Sequence, residues 1–170
     1  SQCLKAKRYA MKDRSPQDRV VFKCIKSKAN VEIYMGEKID IQYLGDFRTS
    51  ARHQRSGQSL ITDAPIDNNG RGEAFSPTDL IATGLGSCIM TIMAIALKKS
   101  GRELGDVDLS VEKEMSDGPR MISRLVVEIS FNSKFSDKEK TLLERAAHTC
   151  PVHRSLSEGT DIDVRFNYLD

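Results

Sequence analysis

Two cysteines carry most of the chemical interest in this 170-residue chain. Cys88 sits in a charge-free, largely apolar stretch from Leu80 to Leu97, and Cys150 lies in the run His148-Thr-Cys-Pro-Val-His153, between two imidazoles. A thiolate is both a nucleophile and a metal ligand, and its availability is set by a pKa that burial raises and neighbouring positive charge lowers. If Pro151 opens a short helix, Cys150 takes the cap position, where free backbone N–H groups favour an anion, and the two histidines add to that effect. Local electrostatics therefore nominates Cys150 as the more acidic thiol. Cys88, eleven residues beyond a helix start at Pro77, receives little help from the helix dipole. By residue type alone each cysteine reads as a small buried hydrophobe.

Other chemistries use the same residues. His148, Cys150, His153 and Cys88 are ligand types suited to zinc, but their spacing matches no standard finger and Pro151 restrains the segment. A cysteine hydrolase built on Cys150 and His153 lacks an evident orienting acid or oxyanion loop. Neither a GxGxxG nor a Walker loop is present, so the chemistry must come from side chains.

The elements that hold these residues follow from periodicity. Short alternating runs at Ile39–Leu44, Phe47–His53 and Ser59–Thr62, broken at Gly45-Asp46 and near Ser56-Gly57, predict an antiparallel meander. Ser76-Pro-Thr-Asp79 has the form of a capping box with proline at the first helical position, so a long helix runs from Pro77 to about Ser100, stopped by Gly101. Its apolar character on nearly all sides predicts burial on nearly all sides. Strands follow at Val107, Leu109 and Val111 and at Leu125, Val127, Ile129 and Phe131. Ser136-Asp-Lys-Glu139 is a second capping box, opening an amphipathic helix that Pro151 interrupts, and a last strand carries Ile162, Val164, Phe166 and Tyr168. This order predicts an α+β fold and not a doubly wound parallel sheet.

Composition sets outer limits. With 26 Lys and Arg against 24 Asp and Glu, the chain is too nearly balanced to be a nucleic-acid binder held by counterion release. The charge is uneven: residues 1–38 hold ten bases and four acids, +6, and the remainder holds sixteen and twenty, −4. A basic N-terminal extension over 1–38 and a domain over 39–170 are expected, with short strands of the extension at Val20–Cys24 and Val31–Tyr34. The Leu80–Leu97 stretch has the length of a short membrane span, but its Thr83, Gly84, Gly86, Ser87 and Thr91 favour a core helix, so no membrane partner is expected. Residues 1–38 contain no apolar run of the secretory type. Four cysteines without a CxxC pair argue against a disulfide-stapled secreted scaffold and for a reducing, cytoplasmic setting. Cys3 and Cys24 are assigned no catalytic role.

The run Ser-Pro-Thr-Asp-Leu-Ile-Ala-Thr-Gly-Leu-Gly-Ser-Cys88, followed some sixty residues later by His148-Thr-Cys150-Pro-Val, resembles the paired motifs of the OsmC/Ohr family of organic hydroperoxide reductases. The resemblance covers roughly residues 39–170. It implies an intertwined α+β homodimer with two long helices at its centre and active sites at the subunit interface. By the same likeness Cys88 attacks the peroxide oxygen and becomes a sulfenic acid, and Cys150 resolves it as a disulfide. A dithiol reductant, lipoyl-type in the better-known branch, regenerates the pair, and no resident cofactor or metal is implied. The family places an activating arginine near the first hairpin; Arg48 occupies that place, with Arg52 as the substitute.

One position departs from the family pattern. Ten residues before the first cysteine, where members commonly carry a glutamate that pairs with the arginine, this chain has Thr78. Asp79 lies nine residues before Cys88 and so near the opposite face of the helix, which suits it to capping. Glu73, in the loop before the helix, is the looser candidate for the arginine's partner. The reading of a different class is a non-catalytic dimer that binds an apolar ligand, with both cysteines as pocket walls.

Overall fold

The computed structural model of the protein describes residues 36–169. Cys3, Cys24, the strands expected at Val20–Cys24 and Val31–Tyr34, and nearly all of the basic 1–38 stretch lie outside these residues. Strands β1 (Ile39–Gly45), β2 (Arg48–His53) and β3 (Ser59–Asp63) form the expected antiparallel meander. A 3₁₀ turn at Ile66–Asn68 and a polar loop lead to helix α1 (Pro77–Lys99). A second sheet holds β4 (Val107–Met115), β5 (Ile122–Phe131) and β6 (Asp161–Asn167), and between β5 and β6 lie helices α2 (Asp137–His148) and α3 (Pro151–Leu156). The architecture is α+β, with two three-stranded sheets in the orders β1-β2-β3 and β4-β5-β6.

The strands do not all run antiparallel. β6 pairs with β5 in parallel, Leu125 opposite Ile162 and Ile129 opposite Phe166, because α2 and α3 carry the chain back across the sheet before β6 begins. Such a return is what a parallel pair requires. The core forms where α1 and α2 cover the second sheet: Leu85, Ile89, Met93 and Leu97 of α1 meet Leu125, Val127, Ile129 and Phe131 of β5 and Leu143 and Ala147 of α2. Gly86 lets β4 close on α1, since a Cβ there would fall 2.7 Å from Leu109 Cδ2 and 2.9 Å from Val111 Cγ2.

Helix α1 is long and apolar enough to cross a membrane, yet it packs on β4, β5, α2 and α3. The expectation that it is covered on nearly all sides fails within one chain. Thr83, Ser87, Thr91 and Ile95 form an exposed row at four-residue spacing, because the meander does not fold back over that face. The meander is uncovered too: Ile39, Ile41, Tyr43 and Leu60 share one face by register and are 57%, 70%, 64% and 43% exposed.

Both capping boxes form. Ser76 N–H donates to Asp79 Oδ2 at 2.8 Å and Asp79 N–H donates to Ser76 Oγ at 3.1 Å, which fixes the first turn of α1. At α2, the Ser136 N–H and hydroxyl both donate to Glu139 Oε2 at 2.8 Å, and Arg102 Nη1 donates to the same oxygen at 2.8 Å. The Ser136 N–H, the Ser136 hydroxyl and Arg102 hold the Glu139 carboxyl at a pKa of about 2, below its ordinary 4.5. A carboxyl depressed on folding contributes stability that is complete above the unfolded value and is lost as pH falls through the folded one. The melting temperature of the wild type should therefore exceed that of Glu139→Gln at pH 6, and the gap should close between pH 4.5 and about pH 2. A gap that stays constant to pH 2 would remove the ionised carboxylate from the account.

Candidate active site

The packing of α1 against α3 brings together the two cysteines that sequence spacing separates. Cys88 is half-buried on the side of α1 that faces the core, and Cys150 is fully buried at the N-cap of α3, with Pro151 at the first helical position. Both are free thiols. Cys150 Sγ accepts the His153 N–H at 3.5 Å, so the cap position read from Pro151 is occupied as expected.

Its electrostatic consequence is the reverse of the expectation. Burial pushes the Cys150 thiol above its ordinary value first, the adjacent Cys88 thiol pushes it further, and the His153 and Val152 N–H groups only partly offset this. His153 supplies no compensating cation, since burial and then the charge of His148 hold its imidazole below the ordinary 6.5. The two rings stand edge to face at 5.4 Å. At neutral pH Cys150 is a protonated thiol held against Cys88, an arrangement suited to receiving a reaction started elsewhere and unsuited to starting one.

Arg48, at the start of β2, donates from Nη1 to Glu73 Oε2 at 3.0 Å. The looser candidate is thus the arginine's carboxylate partner. Arg52 is exposed on β2 opposite Asp40 and Ser59, away from this pair. Asp79 caps α1 as expected and adds an ion pair: Lys113 Nζ donates to its Oδ1 at 2.6 Å and to Thr78 Oγ1 at 2.7 Å. Burial alone would raise the Asp79 carboxyl, but the Lys113 and Ser76 donors outweigh it and keep the carboxyl below its ordinary value. The structure thus forms two groups, Cys88 with Cys150 and Arg48 with Glu73, and no ion pair or hydrogen bond among the described residues links them within one chain.

Sequence reasoning missed two residues here. Lys113 occupies an inward position in the alternation Val107, Leu109, Val111, Lys113, Met115, and a charge on an apolar strand face was a readable signal. Asp63 is fully buried beside Arg48, but only the β2–β3 register reveals it. A cavity of about 740 Å³ lies along the α1 face opposite the thiols, walled by Glu73, Phe75, Asp79, Gly86, Leu109 and Lys113. Among the described residues, no group of three or more His, Cys, Asp or Glu is arranged to hold a metal ion.

The family model for OsmC-like protein matches residues 70–165, a span that contains both cysteines and all of the second sheet but the last two residues of β6. The chain belongs to the OsmC-like family. Among solved structures it is similar to a candidate osmotic stress induced and detoxification response protein from Psychrobacter arcticus, at 39% identity over 79% of this chain and 99% of that one, with a TM-score of 0.74. An organic hydroperoxide resistance protein OsmC from Legionella pneumophila shares the fold at 15% identity, 79% and 98% coverage and a TM-score of 0.65. The organic hydroperoxide resistance protein OhrB of Bacillus subtilis does so at 16% identity, 78% and 98% coverage and a TM-score of 0.54. No curated protein matches.

The burial of Cys150 and the rise in its thiol pKa in this OsmC-like chain can be tested directly. Iodoacetamide at neutral pH should label Cys88 well before Cys150, followed peptide by peptide in a mass spectrometer. Earlier labelling of Cys150 would show that its cap donors outweigh its burial.

Proposed function

We propose that this OsmC-like chain is a thiol-dependent peroxidase acting on organic hydroperoxides in a reducing compartment, and that it works as a homodimer. The observation that carries the proposal is the adjacency of Cys88 and Cys150, two free thiols drawn from α1 and the α3 cap. The Cys88 thiolate attacks the outer oxygen of ROOH, the O–O bond breaks, and the alkoxide leaves as ROH with a proton. Cys88 is then a sulfenic acid. The Cys150 sulfur attacks the Cys88 sulfur, the S–O bond breaks, and the departing hydroxide takes the Cys150 proton as water. An external dithiol, of the lipoyl type by family likeness, reduces the disulfide by two electrons through exchange.

A thiolate inside an apolar helix requires a fixed positive charge, and Arg48, oriented by Glu73, is assigned that role. The pairing of Arg48 with Glu73 supports this in spite of Thr78, since a carboxylate from the preceding loop does the work expected of the missing one. In the dimer the uncovered apolar face of the meander and the exposed row of α1 are covered by the second copy, because exposed apolar area of this extent is unusual on a monomer. The cavity beside Glu73 and Phe75 gives a second reading, a non-catalytic dimer that holds an apolar ligand, a chamber to use, but neither Cys88 nor Cys150 lines it as that reading expected. That reading requires no turnover with any hydroperoxide.

A single equivalent of cumene hydroperoxide should convert Cys88 and Cys150 into an intramolecular disulfide detectable by peptide mapping. Cys88→Ser should abolish peroxide consumption, whereas Cys150→Ser should consume one equivalent and then stall or overoxidise. Both thiols still alkylatable after peroxide treatment would sink the redox cycle. Arg48→Ala should depress turnover and Arg48→Lys should recover only part of it, with Arg52→Ala as the control that is expected to be silent. Light scattering at micromolar concentration should give twice the 19.0 kDa chain mass; a monomer would end the interface account.

A further inference from the structure

Glu73 reaches Arg48 from a segment outside any helix or strand, so something other than regular structure must set where its backbone lies. Asp63, the last residue of β3, is the one charged residue that is buried among the described residues. Two hydrogen bonds run from it to this segment: its Oδ2 accepts the Glu73 N–H at 2.9 Å, and its own N–H donates to the Phe75 carbonyl at 3.1 Å. In the β2–β3 register Asp63 stands opposite Arg48, so a backbone tied to Asp63 is brought alongside the arginine. Asp63 and Arg48 form no ion pair or hydrogen bond with each other, and Arg48 Nε and Asp63 Oδ1 are both without a partner. The bonded path from Asp63 to the guanidinium therefore runs through residue 73.

We propose that Asp63 is a positioning residue for Glu73: by accepting the Glu73 N–H it places the carboxylate that binds Arg48 Nη1 at 3.0 Å, and so lets the loop supply what the helix start, with Thr78, lacks. The role is that of an acceptor for a backbone group, and no direct contact with the guanidinium is involved. A hydrogen bond to an ionised acceptor shielded from water is among the stronger kinds, which suits it to closing a ten-residue separation. The Glu73 N–H holds the Asp63 carboxyl below its ordinary value against the effect of burial, so the acceptor is ionised at neutral pH. The other tie on this loop, the Arg71–Asp46 ion pair at 2.7 Å, is exposed on both sides and contributes little. The inference rests on the reading of Arg48 as the cation that activates Cys88.

The competing account is that Asp63 stabilises the loop without acting on the reaction, and two comparisons in the full chain separate them. Asp63→Ala removes the acceptor and should slow hydroperoxide turnover on the order of tenfold and move the midpoint of Cys88 alkylation upward by about half a pH unit. Asp63→Asn keeps an acceptor and should recover a large part of both. In a Glu73→Gln background Asp63→Ala should add no further loss, since the carboxylate it positions is already gone. A wild-type profile in Asp63→Ala, an Asp63→Asn variant as impaired as Asp63→Ala, or an equal loss with and without the Glu73 carboxylate overturns the proposal. A measurement on the wild type guards against a variant that does not fold: the Glu73 amide should resist hydrogen exchange, and exchange as free as that of an unbonded loop amide overturns it. If Arg48→Ala alone leaves Cys88 unaffected, the reading of Arg48 falls, and the Glu73 amide still decides whether Asp63 positions that residue.

Discussion

The covering of α1 sets the geometry of everything else in the domain. Leu85, Ile89, Met93 and Leu97 bury one stripe of the helix against β5 and α2, and Gly86 admits the Leu109 and Val111 side chains of β4 where a Cβ would force them to shift. The helix start is pinned separately, by Ser76, by Asp79 and by Lys113 reaching over from β4. With both its start and its buried face fixed, the rotation of α1 is determined. Cys88 then turns toward α3, and the Asp79 edge turns toward the cavity. Which side of this one helix a residue faces decides which group it joins.

The two thiols illustrate how a local signal can be right in geometry and wrong in sign. Pro151 does open a helix and Cys150 does cap it, but a cap inside the core loses to desolvation. The dipole of a six-residue helix is small and the removal of water is complete. The result is an asymmetry between the two thiols: one is partly exposed on α1, and the other is buried with its pKa raised. His148 and His153, which flank Cys150 in sequence, spend their proximity on each other instead.

Much of the fold was legible because its signals are local. Two capping boxes, a proline at N1 and a glycine after Ser100 mark helix ends through contacts spanning three or four residues, and strand alternation in β4 reads at a period of two. The direction of β6 was not legible, since pairing in parallel depends on where α2 and α3 return the chain and not on any residue in β6 itself. Nor was the exposed row of α1, because an apolar helix reads the same whether its cover comes from its own chain or from outside it. At the site, the two cysteines were nominated by type and spacing, and Glu73 by loop position. Asp63 was silent for the opposite reason: a lone aspartate before Ala64 and Pro65 looks like a turn residue until the strand register sets it against Arg48.

The placement of Cys88 and Cys150 also bears on how the chain unfolds. They stand sixty-two positions apart, with the second half of α1, both β4 and β5, and all of α2 between them. A covalent link between them closes a loop around most of the core. Such a loop restricts the unfolded chain far more than the folded one, and for this length the chain-entropy estimate is about 4 kcal/mol, a large share of the stability of an ordinary domain. The oxidation state of two sulfur atoms and the resistance of the domain to heat are therefore linked quantities. Once joined, the two sulfurs would belong to a domain that is harder to melt, so resistance to heat would report whether they are linked.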